Sequence, residues 1–224
     1  MFRVIAIDGP AGAGKSTVAK KVAERLGFVY LDTGAMYRAI TLKVLNTKID
    51  LDNEEAVFLA AKEGKLDFAP DGIILDGKLV EKEIRSSKVT RNVSKVSSYG
   101  KVREVLVDKQ REISKGKNSV VDGRDIGTVV FPDAWLKIFL TASVDERANR
   151  RFKENCSEAS FEGIKKAKTS FEGIKKAIEE RDYLDSNREI SPLKQASDAI
   201  LLDTTSKNID QVTKEIVELA GGRS

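Results

Sequence analysis

Residues Gly9 to Thr17 read GPAGAGKST and follow directly on the apolar run Val4-Ile5-Ala6-Ile7, which Asp8 ends. A strand, a glycine-rich turn and a helix start, in that order, leave few folds open. The spacing Gly9, four residues, Gly14-Lys15-Ser16 fits the phosphate-binding pattern G-x-x-x-x-G-K-[ST]. Glycines at 9, 12 and 14 let successive backbone N–H groups curl around an anion, some at angles costly for other residues. Lys15 adds a mobile cation for the β- and γ-phosphates, and the Ser16 hydroxyl can reach Mg²⁺. The helix beginning near Gly14 aims its positive end at the same anion. A glycine turn that only joined a strand to a helix would not need the Lys-Ser pair.

After the loop, Val18, Ala19, Val22, Ala23 and Leu26 recur at helical spacing, and Gly27 supplies the stop. Phe28 to Leu31 reads as a second buried strand, so a parallel sheet with right-handed crossovers is expected. Asp32-Thr33-Gly34 follows at the carboxyl edge, where open α/β sheets bind ligands, and Ala35 to Leu45 reads as a helix carrying Tyr37 and Arg38. Asp32 or Thr33 can cap that helix, contact a ligand, or do both. An arginine at this edge suits phosphate. Asp52 to Glu63 is expected as a helix. Lys65 to Phe68, Gly72 to Leu75 and Lys78 to Val80 read as three short strands around turns at Pro70-Asp71-Gly72 and Asp76-Gly77, a small antiparallel insert. Ile84 to Val96 and Val102 to Ile113 are helical in period, with a break near Tyr99-Gly100 that Ser94 and Arg103 flank.

Ser119-Val120-Val121 forms a third core strand ending in Asp122-Gly123-Arg124-Asp125. An acid after a buried strand is the Walker-B arrangement, able to hold Mg²⁺ directly or through water. One arginine between two carboxylates can also be a structural ion-pair knot. Trp135 to Leu140 gives a fourth strand. Asp145 to Phe152 is helical, with Arg147, Arg150 and Arg151 on one face, arranged for polyphosphate or simply solvated. The octapeptide SFEGIKKA occurs twice, at Ser160 to Ala167 and Ser170 to Ala177. Ten residues of helix turn through about 1000°, which sets the copies about 80° apart and predicts two broken segments. In Glu179 to Arg188, Arg181, Asp185 and Arg188 share one helical face, suited to a surface ion-pair row or to sugar hydroxyls and a phosphate. Ala199 to Leu202 is the fifth strand and Ile209 to Leu219 the closing helix. The expected class is α/β, a five-stranded parallel sheet flanked by helices, with an antiparallel insert near residues 65–80.

A chain of 224 residues supports one substantial core, so a single domain with elaborations is the economical reading. Lys and Arg number 39 against 35 Asp and Glu, and the excess is dispersed among acids instead of forming a stripe. That fits small anionic ligands better than nucleic acid. The single Cys156 cannot form an internal disulfide. Asp8 cuts the first apolar run far short of a signal-peptide core, and no apolar stretch approaches membrane-spanning length. A cytoplasmic location, with no membrane partner, is expected.

Taken together, GPAGAGKSTVAKK, LDTGAMYRA, DGRDIGTVVFPDA with KIFLTAS, RANRR, RDYLDSNR, SPL and LDTT resemble the bacterial cytidylate kinase family over nearly the full chain and in its order. DGRDIGTVVFPDA separates it from adenylate, uridylate and shikimate kinases. The resemblance implies phosphoryl transfer from ATP to CMP or dCMP with Mg²⁺, by a monomer of one P-loop NTPase-type kinase domain, 1–224. Within it, a monophosphate-binding insert would span about 33–103 and a helical lid about 145–180. The resemblance makes Gly9, Pro10, Ala11, Gly12, Ala13, Gly14, Lys15, Ser16 and Thr17 the ATP phosphate loop and puts Arg147, Arg150 and Arg151 in the lid over ATP. Thr33, Tyr37 and Arg38 would line the monophosphate site. Ser94, Arg103 and Asp125 would read the cytosine, Arg124 and Arg188 would hold its phosphate, and Arg181 with Asp185 would meet the sugar. Lys15, Arg124, Arg181 and Arg188 are the expected catalytic residues, and Ser16 and Asp122 the expected metal ligands. The sequence departs from the family where the repeat lengthens the span from Arg151 to Arg181.

Histidine is absent, which removes the commonest general base. The implied reaction does not need one, because a phosphate monoester, with its second pKa at about 6, is mostly a dianion at neutral pH. Two other readings start from the same loop: a kinase of another small molecule, and a nucleotide-dependent protein switch. The N-K-x-D element of guanine-binding switches does not occur.

Overall fold

The computed structural model of the chain describes residues 2–158 and 170–223. In chain order it contains β1 (Val4–Asp8), α1 (Lys15–Leu26), β2 (Val29–Asp32), α2 (Thr33–Asn46), α3 (Glu54–Glu63), β3 (Leu66–Ala69), β4 (Gly72–Leu75) and β5 (Lys78–Leu79). Next come α4 (Ser87–Ser98), α5 (Gly100–Ser114), β6 (Ser119–Asp122), β7 (Leu136–Thr141), α6 (Val144–Glu158), α7 (Phe171–Asn187), β8 (Ile200–Asp203) and α8 (Ile209–Gly221). The main sheet is parallel, in the order β2-β6-β1-β7-β8, and β3-β4-β5 form a separate antiparallel sheet.

Side chains alternate along a strand, so the apolar runs supply two layers at once. Ile5 and Ile7 join Val120, Leu136, Ile138 and Leu140 on one face and pack on Val18 and Val22 of α1 and Val212 and Ile216 of α8. Ala6, Leu31 and Val121 point the other way, against Met36 and Ile40 of α2, Val57 of α3, Val93 of α4 and Leu106 of α5. Burying one such large side chain contributes about 2 kcal/mol, whereas an exposed ion pair contributes about 1 kcal/mol or less. The two apolar layers therefore set the architecture.

Register brings the acids together. Asp122 pairs with Asp32 on one side and with Ile7 on the other, so Asp8, Asp32 and Asp122 end their strands at the same edge of the sheet. Here the backbone leaves β1 through Gly9 at φ 146 and enters α1 through Gly14 at φ 86. A Cβ on Gly9 would sit 2.0 Å from the Leu140 carbonyl oxygen, which β7 holds in place. The Asp32 carboxylate caps α2 by accepting from Ala35 N at 2.8 Å.

Several boundaries differ from the expectation. Strands β2, β7 and β8 each begin one residue later than their apolar patterns suggest. The helix expected from Ile84 opens as a 3₁₀ turn, Glu83–Arg85, and α4 begins afresh at Ser87 under a cap from the Ser86 hydroxyl. Helix α7 stops at Asn187, because the chain doubles back, with Ser191 at φ 51, to donate Leu193 N to Asp185 O at 2.8 Å. Arg188 is thus extended backbone and not part of the helical row drawn through Arg181 and Asp185. The second SFEGIKKA copy starts α7, whose Ile174 and Ile178 pack on Ala148 of α6. The first copy, and the break expected between the two, lie outside the described residues.

Gly9→Ala is expected to destabilise the fold by about 3 kcal/mol or more, since the obstructing atom is backbone that cannot rotate away. Urea unfolding would measure it, and a loss under about 1 kcal/mol would contradict this account of the loop.

Candidate active site

The glycine-rich loop presents a buried cation. Lys15 Nζ donates to Pro10 O at 2.8 Å, and burial together with the neighbouring Arg124 pushes its pKa down to about 7. Beside it, Ser16 Oγ donates to Asp122 Oδ2 at 2.8 Å, and Tyr30, from the adjacent strand, donates its hydroxyl to Asp122 Oδ1 at 3.0 Å. Burial and the charge of Asp32 push the Asp122 carboxyl up to about 6. Among the described residues, no group of three or more His, Cys, Asp or Glu side chains is arranged to hold a metal. A hydroxyl and one carboxylate suit Mg²⁺, which keeps several waters and takes phosphate oxygens for the remainder of its shell.

A cavity of about 1140 Å³ extends from this loop across the carboxyl edge of the sheet. Its far wall holds two buried carboxylates, each between two guanidinium groups. Asp125 Oδ2 pairs with Arg103 Nη2, and Asp125 Oδ1 lies 3.5 Å from Arg188 Nη2. Asp185 Oδ2 accepts from Arg124 Nε at 2.9 Å and lies 3.8 Å from Arg181 Nε. Although burial opposes it, Arg124 and Arg181 hold the Asp185 carboxyl below the usual range. Burial and the adjacent Arg124 lower Arg181 to about 10. Arg38 Nη2 donates to Asp32 Oδ2 at 2.9 Å, and the Arg103 guanidinium lies 5.3 Å from the centre of the Tyr37 ring. Tyr37 Oη, Arg38 Nε, Arg103 Nε, Arg181 Nε and Arg188 Nη2 make no hydrogen bond among the described residues. Buried donors left this way cost about 1–3 kcal/mol each, a cost that the carboxylates of Asp185 and Asp125 offset in part at Arg181 Nε and Arg188 Nη2.

The residues named from the sequence are thus largely gathered here, with two departures. Ser94 is off the cavity wall, its carbonyl accepting from Ser97 Oγ at 3.1 Å, while Thr90, Val93 and Ser97 of the same helix line the cavity. Arg147 turns inward, only 4% exposed, and donates to Ala142 O, Ala11 O and Asp182 Oδ2. Arg150 stays at the wall and donates to Thr204, and Arg151 lines the cavity with its guanidinium on Glu154. Thr33 lines the cavity too, its hydroxyl donating to Asp122 O at 2.7 Å.

The site also holds Asp8, Tyr30 and Asp182, which no motif marks, and the stretch Thr204 to Asn208 lines the cavity beyond the loop. Asp8 and Tyr30 could have been found as polar residues at the ends of apolar strands. Asp182 gives no such signal, because it sits among other charges on α7. Asp8 is 5% exposed, and its Oδ1 and Oδ2 accept from Ile126 N at 2.8 Å and Gly127 N at 2.7 Å.

A family model described as Cytidylate kinase matches residues 5–221. The chain belongs to the cytidylate kinase family. It is 49% identical over 224 residues to a cytidylate kinase of Alkaliphilus oremlandii, covering 99% of each chain. It is 51% identical over 217 residues to one from Caldanaerobacter subterraneus subsp. tengcongensis, covering 96% of this chain and 92% of the relative. An uncharacterized protein from Eubacterium ventriosum, of known crystal structure, shares the fold at a TM-score of 0.50 and 12% identity, with 98% of each chain covered. As a member of the cytidylate kinase family the chain is an enzyme, a kinase that uses ATP. No helix among the described residues is long and apolar enough to cross a membrane.

Burial raises the Asp8 carboxyl from 3.8 to about 6, with its two backbone hydrogen bonds opposing, Asp125 adding to the rise and Lys15 opposing it. The folded chain therefore holds that proton more tightly than the unfolded chain. The contribution to stability is full below the unfolded value and is lost as pH rises through about 6. The stability of the natural chain relative to Asp8→Asn should fall by on the order of 3 kcal/mol between acidic and neutral pH. Urea unfolding of both proteins across that range checks it, and a natural chain that gains stability relative to Asp8→Asn as pH rises would refute it.

Proposed function

We propose that the cavity takes ATP at the glycine-rich loop and CMP or dCMP at the arginine-lined wall, and that the enzyme transfers the γ-phosphoryl group between them to give CDP or dCDP and ADP. The observation that carries the reading is the set of buried guanidinium donors around Asp125 and Asp185, across one cavity from Lys15. The acceptor phosphate is a dianion near neutral pH, so its oxygen attacks the γ-phosphorus without a base, and the bond to the β–γ bridging oxygen breaks in line. No proton has to move.

The obstacle is repulsion between two anions, and the chain meets it with position and charge. Lys15, depressed to about 7 in a cavity already crowded with cations, would regain its full charge against the triphosphate. Ser16, and Asp122 through a water, would hold Mg²⁺, which supplies neutralisation of charge on the β- and γ-oxygens when bound. Arg38, Arg124 and Arg188 would hold the acceptor phosphate, and Arg181 and Asp185 the sugar. Asp125 can accept from the cytosine amino group while Arg103 donates to its ring acceptors. Uracil would set a carbonyl oxygen against that carboxylate. Such a mismatch of buried polar groups costs about 1–3 kcal/mol. Arg150 and the Thr204 to Asn208 stretch would enclose the nucleoside end of ATP, with Arg151 above. We further read the chain as one monomeric unit of core, insert (about 33–103) and lid (about 145–180), working in the cytoplasm with its nucleotide substrates.

Steady-state rates with CMP, dCMP, UMP and AMP at fixed Mg·ATP test this, and preference for a purine monophosphate would overturn it. Lys15→Met is expected to lower kcat by about 100-fold or more with the fold retained, since its charge is used chiefly in the transition state. Near-normal turnover would remove Lys15 from the mechanism. Asp125→Ala should lower the preference for CMP over UMP by about 10-fold or more, read as the ratio of kcat/KM values.

A further inference from the structure

Asp8 is the last residue of β1 and directly precedes the phosphate loop, yet both its oxygens are engaged by the segment after β6. The two N–H groups it accepts from belong to Ile126 and Gly127, the first residues of a π-helical turn, Ile126–Val130. Such leading N–H groups need an acceptor, and the residue placed to supply one is the aspartate just before them. That residue is Asp125, and it makes no side-chain cap. Its carboxylate lies instead between Arg103 and Arg188.

We propose that Asp8 is a positioning residue for the acceptor site: by capping the turn from outside, it frees the Asp125 carboxylate to face Arg103 and Arg188 and fixes the backbone from which Arg124 and Asp125 project. Two carboxylates thus divide two tasks that one aspartate could not perform together. The burial that raises the pKa of Asp8, with the charge of Asp125 adding to it, fits two acids held near one another under the sheet edge. Without Asp8, the capping position before the turn belongs to Asp125, whose carboxylate is placed by sequence to accept from Gly127 N. Turning inward to cap it would take that carboxylate off the arginines and away from the base.

This rests on the proposed CMP reading, and the test separates the two. The natural enzyme is first compared on CMP and UMP; absence of a CMP preference there defeats the functional reading before Asp8 is considered. In Asp8→Asn, one oxygen can still accept one N–H, and in Asp8→Ala none can. The KM for CMP should rise about 10-fold or more in Asp8→Ala and less in Asp8→Asn, and the CMP-over-UMP preference should fall in the same order. The KM for ATP should stay within about twofold, and calorimetric titration with CMP should show the same graded loss. A merely structural role would lower kcat and the melting temperature while leaving both KM values and the discrimination unchanged, and that result overturns the proposal. So does an equal rise in the two KM values. If Asp8→Ala does not fold, Asp8→Asn alone decides by the same criteria.

Discussion

Four guanidinium groups share one cavity wall only because two buried carboxylates stand between them. At contact distance, two like charges repel by about 4 kcal/mol at an effective dielectric constant of ~20. Removing one member of a buried pair leaves its partner uncompensated, at a cost of about 3–5 kcal/mol. Asp125 and Asp185 are therefore conditions of folding before they are parts of a site. Arg103, Arg188, Arg124 and Arg181 against these two acids leave an excess of two positive charges, equal and opposite to the charge of a monophosphate dianion. The two acids reduce the repulsion without cancelling it, and the wall keeps a net positive charge.

The parallel sheet explains why these charges meet at one edge. In parallel pairing every strand ends on the same side, so Asp8, Asp32 and Asp122 come together with the loop that follows β1. Each acid acquires a separate use from its neighbours. Asp32 caps α2 and anchors Arg38, Asp122 receives the hydroxyls of Ser16 and Tyr30, and Asp8 binds two backbone N–H groups. The chemistry of a chain without histidine is then one of fixed dipoles and fixed charges.

The parts of this arrangement written in local spacing were legible in the sequence. The phosphate loop, the alternation of apolar strands and helices, the hairpin turns of the insert and the DGRD segment each carry their own periodicity or turn chemistry. Pairings between distant residues were not legible. Local spacing does not say that Arg103 and Arg188 converge on Asp125, although the resemblance placed Arg103 and Asp125 at one base, or that Asp8 reaches Gly127, because those contacts follow from register and packing between elements far apart in the chain. Helical spacing also misled where a tertiary contact intervened. Arg181, Asp185 and Arg188 fit one face by arithmetic, but the return of Leu193 to the Asp185 carbonyl ends the helix first. Arg147 fitted a charged face with Arg150 and Arg151 until burial against the loop claimed it.

That buried Arg147 has a mechanical meaning. Its guanidinium clips the Ala11 carbonyl of the phosphate loop to Asp182 of α7, while its own backbone belongs to α6. Loop and both helices are thus riveted at one point, so the backbone of the phosphate loop and the α6–α7 pair hold their relative placement through a single buried cation.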